Sequence, residues 1–128
     1  MELYKQYLKE REDIELIYNQ SGFISYYESA IQNNKCIHIE DLFVQKEMRG
    51  SGIGQYLGNK VEEIAIRNNI NYLTCNIIKS TNGWQNALRL FKIFGFEVKA
   101  EINDKIFLVK QLNKSNGRQA QQSKEILF

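Results

Sequence analysis

A glycine-rich turn set between a strand and a helix narrows the possible folds of this chain more than any other feature. Residues 36–44 (CIHIEDLFV) are rich in β-branched and aromatic types, as a strand is. Arg49-Gly50-Ser51-Gly52-Ile53-Gly54 follows, leading into a helix predicted over roughly 53–68, with Ile53, Tyr56, Leu57, Val61, Ile64 and Ala65 on one stripe. The first N–H groups of a helix have no internal partner, and its dipole places positive potential there. Gly50, Gly52 and Gly54 let an anion approach the backbone, so the unit suits a pyrophosphate. Two better-known phosphate loops do not fit. A Walker loop ends in Gly-Lys-Ser/Thr, and Gly54 is followed by Gln55-Tyr56. The dinucleotide fingerprint is spaced G-x-G-x-x-G after a first strand, whereas the spacing here is G-x-G-x-G. From the loop alone, a turn that serves only chain geometry remains the competing reading.

The flanking segments predict the rest of the fold. Helical spacing of Leu3, Tyr4, Tyr7 and Leu8 predicts a short helix over 3–11. Residues 13–18 alternate as a strand, 19–22 are a turn and 23–29 a second strand, making a hairpin. After the central helix come a buried-type strand at 71–78 and a loop whose Ser80, Thr81 and Asn82 offer helix caps. An amphipathic helix at 84–94 then ends at Gly95, and strands at 96–102 and 105–112 flank an Asn103-Asp104 turn. The order is α-β-β-β-α-β-α-β-β. It predicts an α+β domain over 1–112 with a mixed, mostly antiparallel sheet flanked by helices, and a polar tail over 113–128.

Size and charge remove several classes of function. A chain of 128 residues with 43% hydrophobic content makes one domain with a real core. A net charge of +2 gives no argument for a nucleic-acid partner, which a clustered basic face would. No apolar run approaches the roughly 18 residues of a membrane span. Residues 1–13 are charged throughout and lack a signal-peptide core, so a cytoplasmic location is expected. One histidine and two cysteines, Cys36 and Cys75, form neither a metal-ligand pattern nor a disulfide framework.

Arg49 to Gly54, after Leu42-Phe43-Val44, resembles the acetyl-CoA motif R-x-x-G-x-G/A of the GNAT family of N-acetyltransferases. The longer stretch 39–57 is similar to the polyamine and diamine acetyltransferase branch. Residues 86–96 (NALRLFKIFGF) resemble the family's second signature, N-x-x-A-x-x-x-Y-x-x-x-G-F. Both motifs stand at the family's separation, and the resemblance covers about residues 13–112. It implies a sheet splayed beside acetyl-CoA. It implies also that the loop Arg49, Gly50, Ser51, Gly52, Ile53, Gly54 and Gln55 holds the pyrophosphate through backbone N–H groups. Leu42, Phe43 and Val44 would accompany the pantetheine arm and polarise the acetyl carbonyl. Asn82, Asn86 and Phe91 would border the cofactor. Glu40 aligns with the general base of the polyamine branch. A primary amine near pKa 10 needs such a base, because it is mostly protonated at neutral pH. Strict strand alternation puts Glu40 and Leu42 on one face and Asp41 and Phe43 on the other, so Asp41 is the alternative base.

The chain departs from the family pattern twice. Phe91 stands where the family has a tyrosine that protonates the departing thiolate, and Trp84 stands at the usual asparagine, flanked by Asn82 and Asn86. Only residues 1–12 precede the first hairpin, where family members have elements that form one wall of the acceptor site. That shortage predicts uncovered sheet edge and a homodimer to cover it. The function expected is acetyl transfer from acetyl-CoA to an amine, on a small molecule or a protein, by direct attack on the thioester. The alternative is a catalytically silent acyl-CoA-binding or protein-interaction module. Cys36 and Cys75 read as buried core residues, and His38 as a strand residue sharing a face with Glu40.

Overall fold

A computed structural model describes residues 1–112; the polar stretch 113–128 lies outside the described residues. The elements are α1 (Glu2–Glu12), β1 (Glu15–Tyr18), β2 (Gly22–Ile31), β3 (Asn34–Val44), α2 (Ile53–Arg67), β4 (Tyr72–Ile78), α3 (Trp84–Ile93), β5 (Glu97–Ile102) and β6 (Lys105–Gln111), with a 3-10 turn at Lys46–Met48 before α2. This is the order read from periodicity. The six strands form one sheet in the order β1-β2-β3-β4-β6-β5. All pairs are antiparallel except β3 with β4, which α2 connects as a crossover.

The core lies between one face of the sheet and the pair α2 and α3. Leu57, Val61 and Ala65 of α2 pack with Ile24, Ile37, Ile39, Leu73, Cys75 and Leu108, and α3 closes the cluster with Ala87, Leu88 and Phe91. The stripe predicted for α2 holds except at Tyr56, which is 50% exposed with the Lys60 ammonium 5.3 Å from its ring. The other face carries α1, seated through Leu8 on Ile14, Leu16, Phe23 and Tyr27. The cap expected for α3 is corrected. Gly83, in a left-handed conformation, is the N-cap and no side chain caps it, so Ser80, Thr81 and Asn82 do not serve. Gly95 takes the predicted left-handed turn after α3. Among the described residues no helix is long and apolar enough to cross a membrane.

One irregularity decides what the sheet can do. Ser25 of β2 pairs with Asp41, but its neighbour Tyr26 pairs with Ile39, so Glu40 is an extra residue in β3. A bulge of this kind removes a backbone group from the ladder and re-aims the side chains around it. The displaced amide is not orphaned: the Asp41 N–H donates to Ser25 Oγ at 3.1 Å, and Ser25 is buried. At the same height the parallel ladder stops. β3 and β4 pair from Cys36–Tyr72 to Ile39–Cys75 and no further. Each strand continues against its outer neighbour, β3 against β2 to Val44 and β4 against β6 to Ile78. The two arms are therefore held apart from outside, and the gap between them is a fixed part of the fold.

Candidate active site

The gap runs from the bulge to the N-terminus of α2, and the loop that joins them is tied down by its own side chains. Arg49 Nε donates to the Val44 carbonyl at 2.8 Å, and its guanidinium lies 5.7 Å from the centre of the Phe43 ring. The Ser51 hydroxyl donates to the Met48 carbonyl. Gly50 and Gly52 hold φ of 83° and 90°, a conformation that side chains disfavour, and neither has an atom near the place of a Cβ. Space is thus left above both. Gly54 has no such strain, and a side chain there would only touch Val44 at 3.9 Å. The three glycines divide into two that shape the turn and one inside the helix.

Within α2 the first helical partner belongs to Tyr56, whose N–H reaches the Gly52 carbonyl at 2.9 Å. The N–H groups of Ile53, Gly54 and Gln55 ahead of it have no helical acceptor. The first turn contains no acidic residue and Gly52 contributes no side-chain cap. Those amides, with the positive end of the helix dipole, form an anion site at the mouth of the gap.

Inside the gap, on the side of α2 and α3, a cavity of about 120 Å³ has a mixed lining: Ile39, Leu42, Leu73 and Phe91 are apolar, while Gln55 and the Glu62–Lys110 ion pair are polar. Phe91 stands edge-on to Phe96 with centroids 5.1 Å apart. A ring without a hydroxyl therefore fills the place beside the gap. Asn82 and Asn86 are exposed at the start of α3 and do not line this cavity.

The bulge corrects the predicted faces of β3. Leu42 packs on the core cluster with Ile39, three residues away, which strict alternation forbids. Glu40 does not share its face. Glu40 and Asp41 are both exposed, and the Glu40 charge helps raise the Tyr27 hydroxyl, which lies on the face opposite α2 and α3. Burial, then the neighbouring Glu40 carboxylate, pushes Asp41 above the ordinary carboxylate range. Phe43, 48% exposed, joins them and packs on Phe23 at 5.9 Å. Sequence reasoning had Glu40 and Asp41 on opposite faces; the structure brings them together.

The thiols are not available for covalent chemistry. Cys36 and Cys75 are 1% and 2% exposed. Burial pushes the Cys75 thiol up to about 12, and burial also raises Cys36, against hydrogen bonds with Thr74 and Ser29. Among the described residues no cluster of His, Cys, Asp or Glu forms a metal site.

A model of the acetyltransferase (GNAT) family matches residues 2–96. The chain belongs to this family. No curated protein matches its sequence. Solved GNAT structures share the fold at low identity. A GNAT family acetyltransferase from Elizabethkingia anophelis, solved with acetyl-CoA bound, is 21% identical over 87% of this chain and 82% of its own, with TM-score 0.63. The PaiA N-acetyltransferase of Thermoplasma acidophilum, in complex with coenzyme A, is 15% identical over 85% of this chain and 69% of its own, with TM-score 0.66. A GNAT protein from Desulfovibrio desulfuricans is 15% identical with TM-score 0.65, and this chain spans 65% of its length. The GNAT fold expected from the two motifs is thus met, two of these neighbours are solved with acetyl-CoA or coenzyme A, and nothing here singles out the polyamine branch.

A valine at position 52 must adopt a left-handed backbone and fills the space left for the anion. Gly52→Val is expected to cost about 1–2 kcal/mol of stability. Its affinity for acetyl-CoA should fall at least tenfold by titration calorimetry. A folded variant with unchanged affinity would place the cofactor elsewhere.

Proposed function

We propose that the domain over residues 1–112 is an acetyl-CoA-dependent N-acetyltransferase, and that it acts by direct attack of an amine on the thioester. The observation that carries this reading is a juxtaposition along β3 and the start of α2: amides of Ile53, Gly54 and Gln55 without a helical acceptor, an edge of β3 that β4 leaves unpaired over Glu40–Val44, and two exposed carboxylates at Glu40 and Asp41. Pyrophosphate would sit on the amides from Gly50 to Gln55. The pantetheine arm would take the place a neighbouring strand would occupy beside Leu42, Phe43 and Val44. A backbone N–H aimed at the acetyl carbonyl from that edge contributes a few kcal/mol of oxyanion stabilisation.

The amine then arrives from the face of Glu40 and Asp41. Two carboxylates side by side suit a cation, and the resemblance of residues 39–57 to the polyamine and diamine branch supports a small di- or polyamine as acceptor. Glu40 is assigned as the base that frees the attacking lone pair. Asp41, beside it on the same face, is the partner that binds the ammonium. Phe91 supports a second reading, a silent acyl-CoA-binding module, because no hydroxyl at that place protonates the leaving sulfur. A thiol of pKa about 8.5 leaves without such help at a slower rate.

The same reading includes a homodimer in the cytoplasm. β1 spans only four residues and covers β2 from Phe23 to Tyr26, and among the described residues no strand covers the outer edge beyond Tyr26. Met1 and, on α1, Leu3, Tyr4 and Tyr7 are exposed. Both features invite a second copy. Light scattering at tens of micromolar should return twice the 15.0 kDa chain mass. A monomer would remove the dimer from this reading.

The decisive assay follows thiol release from acetyl-CoA with spermidine, a lysine-containing peptide and a peptide with a free N-terminus as acceptors. Turnover is expected, strongest with spermidine. Glu40→Gln should lower kcat by about 10²–10⁴, the usual contribution of a general base. Cys36→Ala and Cys75→Ala should leave kcat nearly unchanged. Tight acetyl-CoA binding with no turnover on any amine would establish the silent module, and an acetylated cysteine trapped by mass spectrometry would overturn direct transfer.

A further inference from the structure

His38 is the one histidine of the chain, and it stands at the closed end of the gap. Its backbone pairs with Thr74, one rung before the ladder stops at Ile39–Cys75, and Glu40 is the first residue past that rung. Its side chain lies on the face of Glu40 and Asp41, with its ring 5.3 Å from that of Tyr27. The imidazole is fixed from below: Nδ1 is 2.7 Å from Thr74 Oγ1, and Thr74 is 1% exposed. The Thr74 hydroxyl is also hydrogen-bonded to the Cys36 thiol. When the Thr74 proton goes to that sulfur, the Thr74 oxygen accepts from Nδ1–H and the lone pair of the ring is left on Nε2, the tautomer that the NMR experiment below tests. No described residue bonds Nε2.

The chemistry of the proposed reaction needs such a group. An ammonium that becomes an amide gives up two protons, of which one ends on the coenzyme sulfur and the other in water. Glu40 receives the first, freeing the lone pair. The second leaves as the C–N bond forms and the C–S bond breaks, with the electron pair of that bond going to sulfur. Phe91 offers sulfur no proton, and both thiols are buried.

Resting on the acetyltransferase reading, we propose that His38 is the second proton acceptor of the transfer, taking at Nε2 the proton released when the amine nitrogen bonds the acetyl carbon. The protonated ring then returns the proton to the thiolate or to water, which resets the site without any other reactant. The surroundings suit this role. Burial, then the Lys105 ammonium of β6, lowers the His38 pKa below the ordinary 6.5. The ring is thus neutral and able to accept at pH 7. The other ionisable groups facing it are Tyr27 from β2 and Cys36, Glu40 and Asp41 on its own strand. Tyr27 and Cys36 are both raised, so they are neutral at that pH.

A single histidine makes the test unambiguous. Its imidazole resonances, followed by NMR, should titrate below pH 6.5 with Nδ1 protonated in the neutral ring, and should shift when acetyl-CoA is added. His38→Asn keeps an amide near the place of Nδ1 for Thr74 and removes Nε2. It should fold, bind acetyl-CoA with unchanged affinity and lose about 10²-fold in kcat with spermidine, a general-base effect. The part of the acid fall of native kcat that His38 sets should be lost in the variant. A folded His38→Asn protein with native kcat and native acid limb would overturn the role. So would an imidazole that ignores acetyl-CoA when calorimetry shows it bound, a result that needs no acceptor. If the native protein binds no acetyl-CoA, the acetyltransferase reading fails, and this role fails with it.

Discussion

The parallel ladder between β3 and β4 ends after four rungs, and the rest of the molecule follows from that termination. An unbroken sheet would bury the edge of β3 and leave no room for a ligand at the mouth of α2. The ladder ends at the rung before Glu40, an extra residue in β3. That residue shifts the register against β2, and the Ser25 hydroxyl accepts the amide that the shift displaces. The outer pairs, β2–β3 and β4–β6, continue past this point and keep the two arms from closing. Unpaired backbone N–H and C=O groups cost free energy when buried. A ligand that supplies amide groups of its own, as a pantetheine arm does, satisfies them.

The same bulge gathers the polar chemistry. It sets Glu40 and Asp41 side by side on the face away from α2 and α3, two residues from His38, while Ile39 and Leu42 keep the other face apolar. In the proposed reading, the amides at one end of the gap would meet phosphate, and the carboxylates and imidazole at the other would take up protons. The two thiols lie in the packed interior, where a raised pKa keeps them as inert apolar side chains.

Much of this was legible in the sequence. Glycine spacing, helical stripes and turn residues gave the element order, and Arg49 to Gly54 with residues 86–96 pointed to the family before any coordinates. Four things were not legible, each for a physical reason. Side-chain alternation assumes an unbroken ladder, so the extra residue at Glu40 turned the predicted faces of Glu40 and Leu42 wrong. The capping role offered by Ser80, Thr81 and Asn82 went instead to a left-handed Gly83, which no side-chain rule anticipates. Tyr56 fell on the apolar stripe by spacing, yet its ring lies exposed beside Lys60 near the open mouth of the gap. The His38–Thr74 bond joins residues 36 apart and could be foreseen only once the parallel register was known. Phe91, which the second motif singled out, lines the cavity beside the gap.

The central claim is that the gap and the loop above it hold acetyl-CoA. Backbone amide resonances recorded while acetyl-CoA is titrated into the protein test it most directly. The largest shifts should fall on Gly50–Gln55 and on Glu40–Val44, with Phe91 affected and α1 and β5 unchanged. Shifts centred on α1 or β5, or no shifts at millimolar acetyl-CoA, would contradict the account.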